Sequence, residues 1–186
     1  MNLARRTLLA ALPLAALAFA APAFAQAADP QNTVYLDTKD GRVTIRLRPD
    51  IAPKHAAQIK TLVKQGFYNG VPFHRVIPGF MAQTGDPTGT GTGHSDLPNI
   101  PAEFSQVPFK RGTVGMARSQ DPNSANSQFF ICFADASFLN GQYTVVGEVT
   151  SGMDVIDKVK KGTAANNGQV SNPDKVLKMT LASDPK

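Results

Sequence analysis

Tryptophan is absent from this 186-residue chain, and cysteine occurs once, at Cys132. A single thiol closes no internal disulfide, forms no CxxC redox pair and builds no thiolate zinc site. Disulfide-stapled scaffolds and zinc ribbons are excluded. Histidine is nearly as scarce. His55, His74 and His94 are the three present, and none stands at H-x-x-x-H spacing to another. Long apolar runs are confined to the N-terminus. There Arg5 and Arg6 precede TLLAALPLAALAFA (Thr7–Ala20), and Ala23-Phe24-Ala25 follows. A basic start, a short apolar centre and small residues form a secretory signal, with cleavage expected after Ala25. A membrane-spanning helix needs about 20 apolar residues, and this run carries Pro13 at its centre. No cysteine follows to take a lipid anchor. The paired arginines leave both the general secretory and the twin-arginine route open. The expected location is the periplasm.

Charge of one sign is lacking after cleavage. Gln26–Lys186 holds 161 residues with 17 basic and 14 acidic side chains. No basic run is interleaved with aromatics, so nucleic acid is not an expected partner. The whole chain is 42% hydrophobic and 18% charged, the composition of a folded domain, and its length allows one.

What is present reads mainly as strands. Arg42–Arg48 alternates Val43, Ile45 and Leu47 against polar neighbours, the period of a half-buried strand. Val34–Thr38 precedes it across the turn Lys39-Asp40-Gly41, which makes a hairpin. Phe73–Ile77, Phe80–Thr84, Thr113–Ala117, Gln128–Phe133, Tyr143–Val149 and Val176–Leu181 are further strands. Helical period appears twice. Ala52, Ala56, Ile59, Val63 and Phe67 share a face over Pro53–Gln65, with Gly66 as the stop. Met153, Ile156 and Val159 do the same over Ser151–Lys161, where acids come early and lysines late. About eight strands and two helices in a mainly β chain predict a closed antiparallel β-barrel.

Gly85–Pro101, GDPTGTGTGHSDLPNIP, has no hydrophobic period. Structureless stretches of this length are functional or disordered. A phosphate loop requires lysine and a hydroxyl after its last glycine, and His94 follows Gly93. A hydrolase elbow requires a second glycine where Leu97 stands. His55 falls on the polar side of its helix and reads as solvated. His74 reads as a hydrogen-bonded structural residue, and Cys132 as a buried, inert thiol. Glu103 and Glu148 show no partner. No metal, cofactor or covalent machinery is expected.

Phe73–Asp86, FHRVIPGFMAQTGD, and Gly115–Phe133, GMARSQDPNSANSQFFICF, resemble the signature segments of the cyclophilin family of peptidyl-prolyl cis–trans isomerases. The likeness extends through Pro53–Gly70 and Phe138–Val149 and covers nearly all of the chain after Ala25. The resemblance implies a closed eight-stranded antiparallel β-barrel capped by two α-helices, with its active groove on the outside, and proline-containing polypeptides as substrates. A monomer with no stable membrane association is expected. Matched position by position, it implies Arg75 as the catalytic arginine. Phe80, Met81, Gln83, Ala117, Arg118, Gln128, Phe130, Phe138, Leu139 and Tyr143 are the implied substrate-binding residues. Arg118 stands where many eukaryotic members have asparagine, Phe138 replaces a tryptophan associated with cyclosporin binding, and Tyr143 replaces a histidine, as in bacterial members.

The strand period agrees with that assignment. Arg75 should face with Phe73, Met81 with Gln83, and Gln128 with Phe130, each pair offering a polar and an apolar group. Phe129, Ile131 and Phe133 read as core. A module that only holds proline segments and a secreted hydrolase are the competing classes. The sequence offers no triad for the second, and the set Arg75, Met81, Gln83 and Phe130 speaks against the first.

Overall fold

The computed structural model describes residues 29–184. The expected signal segment and its cleavage site after Ala25 lie outside them. The strands are β1 (Thr33–Thr38), β2 (Gly41–Leu47), β3 (Arg75–Ile77), β4 (Met81–Thr84), β5 (Thr113–Met116), β6 (Phe129–Cys132), β7 (Val145–Ser151) and β8 (Lys178–Leu181). Two α-helices accompany them, α1 (Pro53–Lys64) and α2 (Met153–Ile156). The sheet is antiparallel in the order β3-β4-β6-β5-β7-β2-β1-β8.

The expected closed barrel is corrected to an open half-barrel, because β3 and β8 end the sheet without a ladder between them. Where closure would occur, the chain runs through Pro72 on one side and Pro173 on the other, and proline has no N–H to give a ladder. Only scattered bonds cross there, such as Gly70 N to Val176 O at 2.7 Å and Phe73 N to Asp174 O at 2.8 Å. The free edge of β3 is instead covered by the segment after α2. Val76 N donates to Gly168 O at 2.7 Å and Gly162 N donates to Val76 O at 2.9 Å.

Strand alternation sorts the apolar residues into two cores. Val34, Leu36, Val43, Ile45, Val114, Phe129 and Ile131 point into the half-barrel against Ile59, Leu62 and Val63 of α1 and Ile156 of α2. Phe133 belongs to this core as well. Met81, Phe130 and Cys132 point outward, into a second cluster with Phe109, Leu139 and Val145. Phe73 joins the inner core and so does not face with Arg75. The strand begins only at Arg75, and the residues before it do not keep the alternation. Burial pushes the Cys132 thiol up to about 12, which makes it the inert thiol expected of an apolar site.

Helix α1 has nearly its expected bounds, and Gly66, at φ +69°, permits the backbone to leave the helix. Helix α2 is much shorter than Ser151–Lys161. After Ile156 the backbone tightens into three-residue turns, Lys158 N to Val155 O and Val159 N to Ile156 O. His55 is not solvated. It is fully buried, and its Nδ1 lies 2.6 Å from Glu103 Oε2. Glu103 also accepts from the backbone N–H of Lys54 and His55, each at 3.1 Å. The residue before α1 is Ala52, which offers no cap, so a carboxylate from a distant loop satisfies those orphan donors. Glu148 has a partner too, the Arg46 guanidinium across the β2–β7 pairing.

Candidate functional site

Register places the site before any side chain is considered. Arg75 on β3 stands opposite Gln83 on β4, Gln83 opposite Phe130 on β6, and Phe130 opposite Gly115 on β5. One row across four strands thus carries a cation, an amide, an aromatic ring and a residue with no side chain. Gly115 is the vacancy that the ring needs. A Cβ there would lie 2.4 Å from Phe130 Cζ and 2.6 Å from Phe109 Cε1.

A groove of about 780 Å³ runs over this row. Its apolar end is formed by Phe80, Met81, Phe130 and Leu139, with Ala117 and Tyr143 beside them. Phe130 stacks on Phe109 at 5.8 Å and meets the edge of Tyr143 at 6.0 Å. These contacts fix the ring from two sides. A short 3₁₀ turn, Ser137–Leu139, delivers Leu139 into the cluster and leaves Phe138 at the rim, 63% exposed and 5.2 Å from Phe80.

The polar end belongs to Arg75. Its Nε donates to Asn167 O at 3.0 Å, Nη2 to Asn167 Oδ1 at 2.9 Å and Nη1 to Gln83 Oε1 at 3.1 Å. A guanidinium has five N–H groups, so these bonds leave one N–H on each terminal nitrogen. All three acceptors are neutral. Burial draws its pKa below the ordinary arginine value, yet such a group stays protonated. The result is a positioned cation with unspent donors beside an apolar cup.

The amide chain continues from Gln83. Its Nε2 donates to Gln128 Oε1 at 2.8 Å, and Gln128 Nε2 donates to Gly93 O at 2.8 Å and Gly91 O at 3.1 Å. Gln128 therefore faces a second hollow, of about 350 Å³. It ties Arg75 and Gln83 to the glycine-rich loop.

That loop is ordered around an anion of its own. Asp86 is fully buried, and its carboxylate accepts from Thr88 N at 2.7 Å, Gly91 N at 2.6 Å and Gly93 N at 3.1 Å. The glycines thus cradle a protein carboxylate. A Cβ on Gly93 would lie 2.1 Å from Asp86 Oδ1. Burial pushes the Asp86 pKa up, but the bonds from Thr88, Gly91 and Gly93 outweigh it and hold the group below the ordinary aspartate value. A carboxyl depressed in the folded state stabilises the fold above its unfolded pKa, and that contribution is lost as pH falls through the folded one. Asp86→Asn should cost about 1–3 kcal/mol at pH 7. In urea melts the gap to the parent should narrow below about pH 4; a gap constant down to pH 2 would remove the charge from this account.

Ten of the eleven site residues expected from sequence lie along the main groove, and Gln128 lies at the junction with the second hollow. Asn167, Asp86 and Gly115 were not among them. The dipeptide Asn167-Gly168 is a turn signal in the sequence, but nothing local to it points to Arg75.

Arg118 and Tyr143 are partners. The guanidinium carbon lies 4.4 Å from the ring centroid, and the two side chains form a cation–π pair. Arg118 Nη1 donates to Ser119 O at 2.8 Å and Nη2 to Gln142 O at 3.0 Å.

Known proteins share this arrangement of sequence and fold. The family model for cyclophilin type peptidyl-prolyl cis-trans isomerase/CLD matches residues 33–181. A probable peptidyl-prolyl cis-trans isomerase of Brucella suis is 62% identical, over 97% of this chain and 98% of its own. A peptidyl-prolyl cis-trans isomerase of Helicobacter pylori is 44% identical, over 68% of this chain and 80% of its own. Among solved structures, a cyclophilin from Hirschia baltica superposes with a TM-score of 0.76 at 31% identity, covering 85% of this chain and 76% of its own. A Cryptosporidium parvum cyclophilin-type isomerase, crystallised in the presence of the dipeptide Ala-Pro, gives 0.74 at 27% identity, over 82% and 99%. With the match of the family model over most of its length, the chain belongs to the cyclophilin-type peptidyl-prolyl cis–trans isomerases.

Proposed function

We propose that Arg75 and the apolar cup beside it accelerate X–Pro isomerisation without covalent chemistry, and that the substrates are exported proteins during folding. The C–N bond of an amide has partial double-bond character, and rotation costs about 18–20 kcal/mol. Unaided, an X–Pro bond takes tens to hundreds of seconds to turn, which is slow enough to limit folding. In the twisted transition state the prolyl nitrogen becomes pyramidal and regains its lone pair. A hydrogen bond to that lone pair exists only there, so it is differential binding. Arg75 supplies the donor. Phe80, Met81, Phe130 and Leu139 anchor the ring while the preceding carbonyl rotates.

The observation that carries this reading is the set of partners on Arg75. Three neutral acceptors fix the guanidinium and none neutralises it. One preorganised donor in a site shielded from water is worth about 3–4 kcal/mol. The Ala-Pro dipeptide present with the Cryptosporidium relative supports a proline ring as the occupant. The exported context is supported by the N-terminal pattern through Ala25.

The test has two arms. The purified protein should accelerate cis-to-trans exchange of an Ala-Pro peptide in a magnetisation-exchange experiment at catalytic ratios. Binding without acceleration would leave only a holding module. N-terminal sequencing of the protein from its native cell should begin at Gln26; a start at Met1 would remove the export claim.

A further inference from the structure

Among the described residues, the groove has two fixed cations along its walls, Arg75 and Arg118, and no aspartate or glutamate lines either the groove or the adjoining hollow. Arg118 lines both spaces. It is half-buried, and its partners are the Tyr143 ring and backbone carbonyls, which orient the guanidinium without cancelling its charge. The nearest acid in sequence, Asp121, accepts from Asn123 N at 2.9 Å within its own turn. Hydroxyls and amides form the rest of the hollow, among them Thr92, Asn99, Ser119 and Asn126. His94 stands there as well, its Nδ1 donating to Ser95 O at 2.8 Å.

We propose that Arg118 makes this isomerase selective for prolines flanked by an acidic residue, whose carboxylate settles in the hollow beside the proline cup. This rests on the isomerase reading and adds a substrate class to it. The main groove and the hollow share Gln83, Gly91, Thr92, Ala117 and Arg118. A chain with its ring in the cup therefore has a neighbouring side chain within reach of the hollow. A carboxylate there meets a guanidinium already held in place, so little side-chain entropy is lost on pairing. A lysine at the same position meets like charge. Screening by salt follows, because the hollow is open to water.

The experiment uses Ala-Pro peptides in which Glu, Gln or Lys is placed in turn at each of three positions on either side of the proline. Exchange rates are read by NMR, which needs no coupling protease with preferences of its own. At one position at least, kcat/KM for Glu should exceed that for Lys by about fivefold or more at low salt. The ratio should fall below about twofold in Arg118→Gln and likewise in the parent at 0.5 M salt. A ratio under twofold at every position in the parent, or one unchanged by Arg118→Gln, would overturn the proposal. If Arg118→Gln fails to fold, the salt dependence of the parent's ratio decides it alone. A protein that turned over none of the peptides would sink the isomerase reading instead; affinities of the same peptides from chemical-shift titration would still show or deny the preference.

Discussion

Replacing Arg75 by alanine should lower kcat/KM for a proline peptide by at least about two orders of magnitude, or roughly 3 kcal/mol of transition-state stabilisation. The expectation follows from where the donor is used. Among the described residues Arg75 touches no carboxylate, and its three bonds to Asn167 and Gln83 hold it rather than occupy it. Removing it leaves the apolar cup in place, so peptide affinity should fall far less than turnover. Arg75→Lys should recover little. An ammonium has the charge but not the planar fork that is fixed at three points here. A lysine variant with near-parental activity would mean that charge alone suffices.

Gly115→Ala should be the second most damaging change, although it adds a single methyl group. The added carbon would stand within 2.6 Å of both the Phe130 and Phe109 rings. Those rings stack on each other, and Phe130 is also pinned against Tyr143. Overpacking of a fitted cluster costs about 1–3 kcal/mol, and here the ring that must tilt is the floor of the proline cup. Stability should fall by that amount, and kcat/KM by about tenfold or more, much of it as a higher KM. Phe130→Leu added to Gly115→Ala should restore part of the stability but not activity, since the smaller side chain removes the contact at 2.4 Å, leaves the one with Phe109 at 2.6 Å and still lacks the ring. Parental kinetics in Gly115→Ala would show that the cup is not built on this vacancy.

Local signals in the sequence were dependable where one period or one motif decides. The β1–β2 hairpin and α1 follow from alternation and from a 3.6-residue face, and their bounds are nearly those expected. The outward pairs Met81 with Gln83 and Gln128 with Phe130 follow from the same alternation. What the sequence hid are contacts between distant segments. His55 looks polar on a helical wheel, but a carboxylate 48 residues away buries it and caps its helix. Burial lowers the His55 pKa despite that carboxylate, so the neutral ring is the form the fold prefers. Asn167 reaches Arg75 across 92 residues, and no pattern near either predicts it. The glycine-rich loop lacks the residues of a phosphate loop, and its backbone N–H groups cradle a carboxylate of the same chain, Asp86, instead. The closed barrel failed for a related reason. Strand count suggests closure, whereas prolines at the seam and the segment covering β3 decide against it.

The most direct measurement of the central claim separates binding from rotation. Exchange and line-shape NMR on an Ala-Pro peptide gives both the dissociation constant and the cis–trans interconversion rate of the bound peptide, for the parent and for Arg75→Ala. A donor that acts on the twisted amide predicts an on-enzyme rate lower by about 100-fold, with the dissociation constant changed by no more than about threefold. An on-enzyme rate equal to the parent's, with weaker binding as the whole defect, would contradict it and leave Arg75 as a binding residue only.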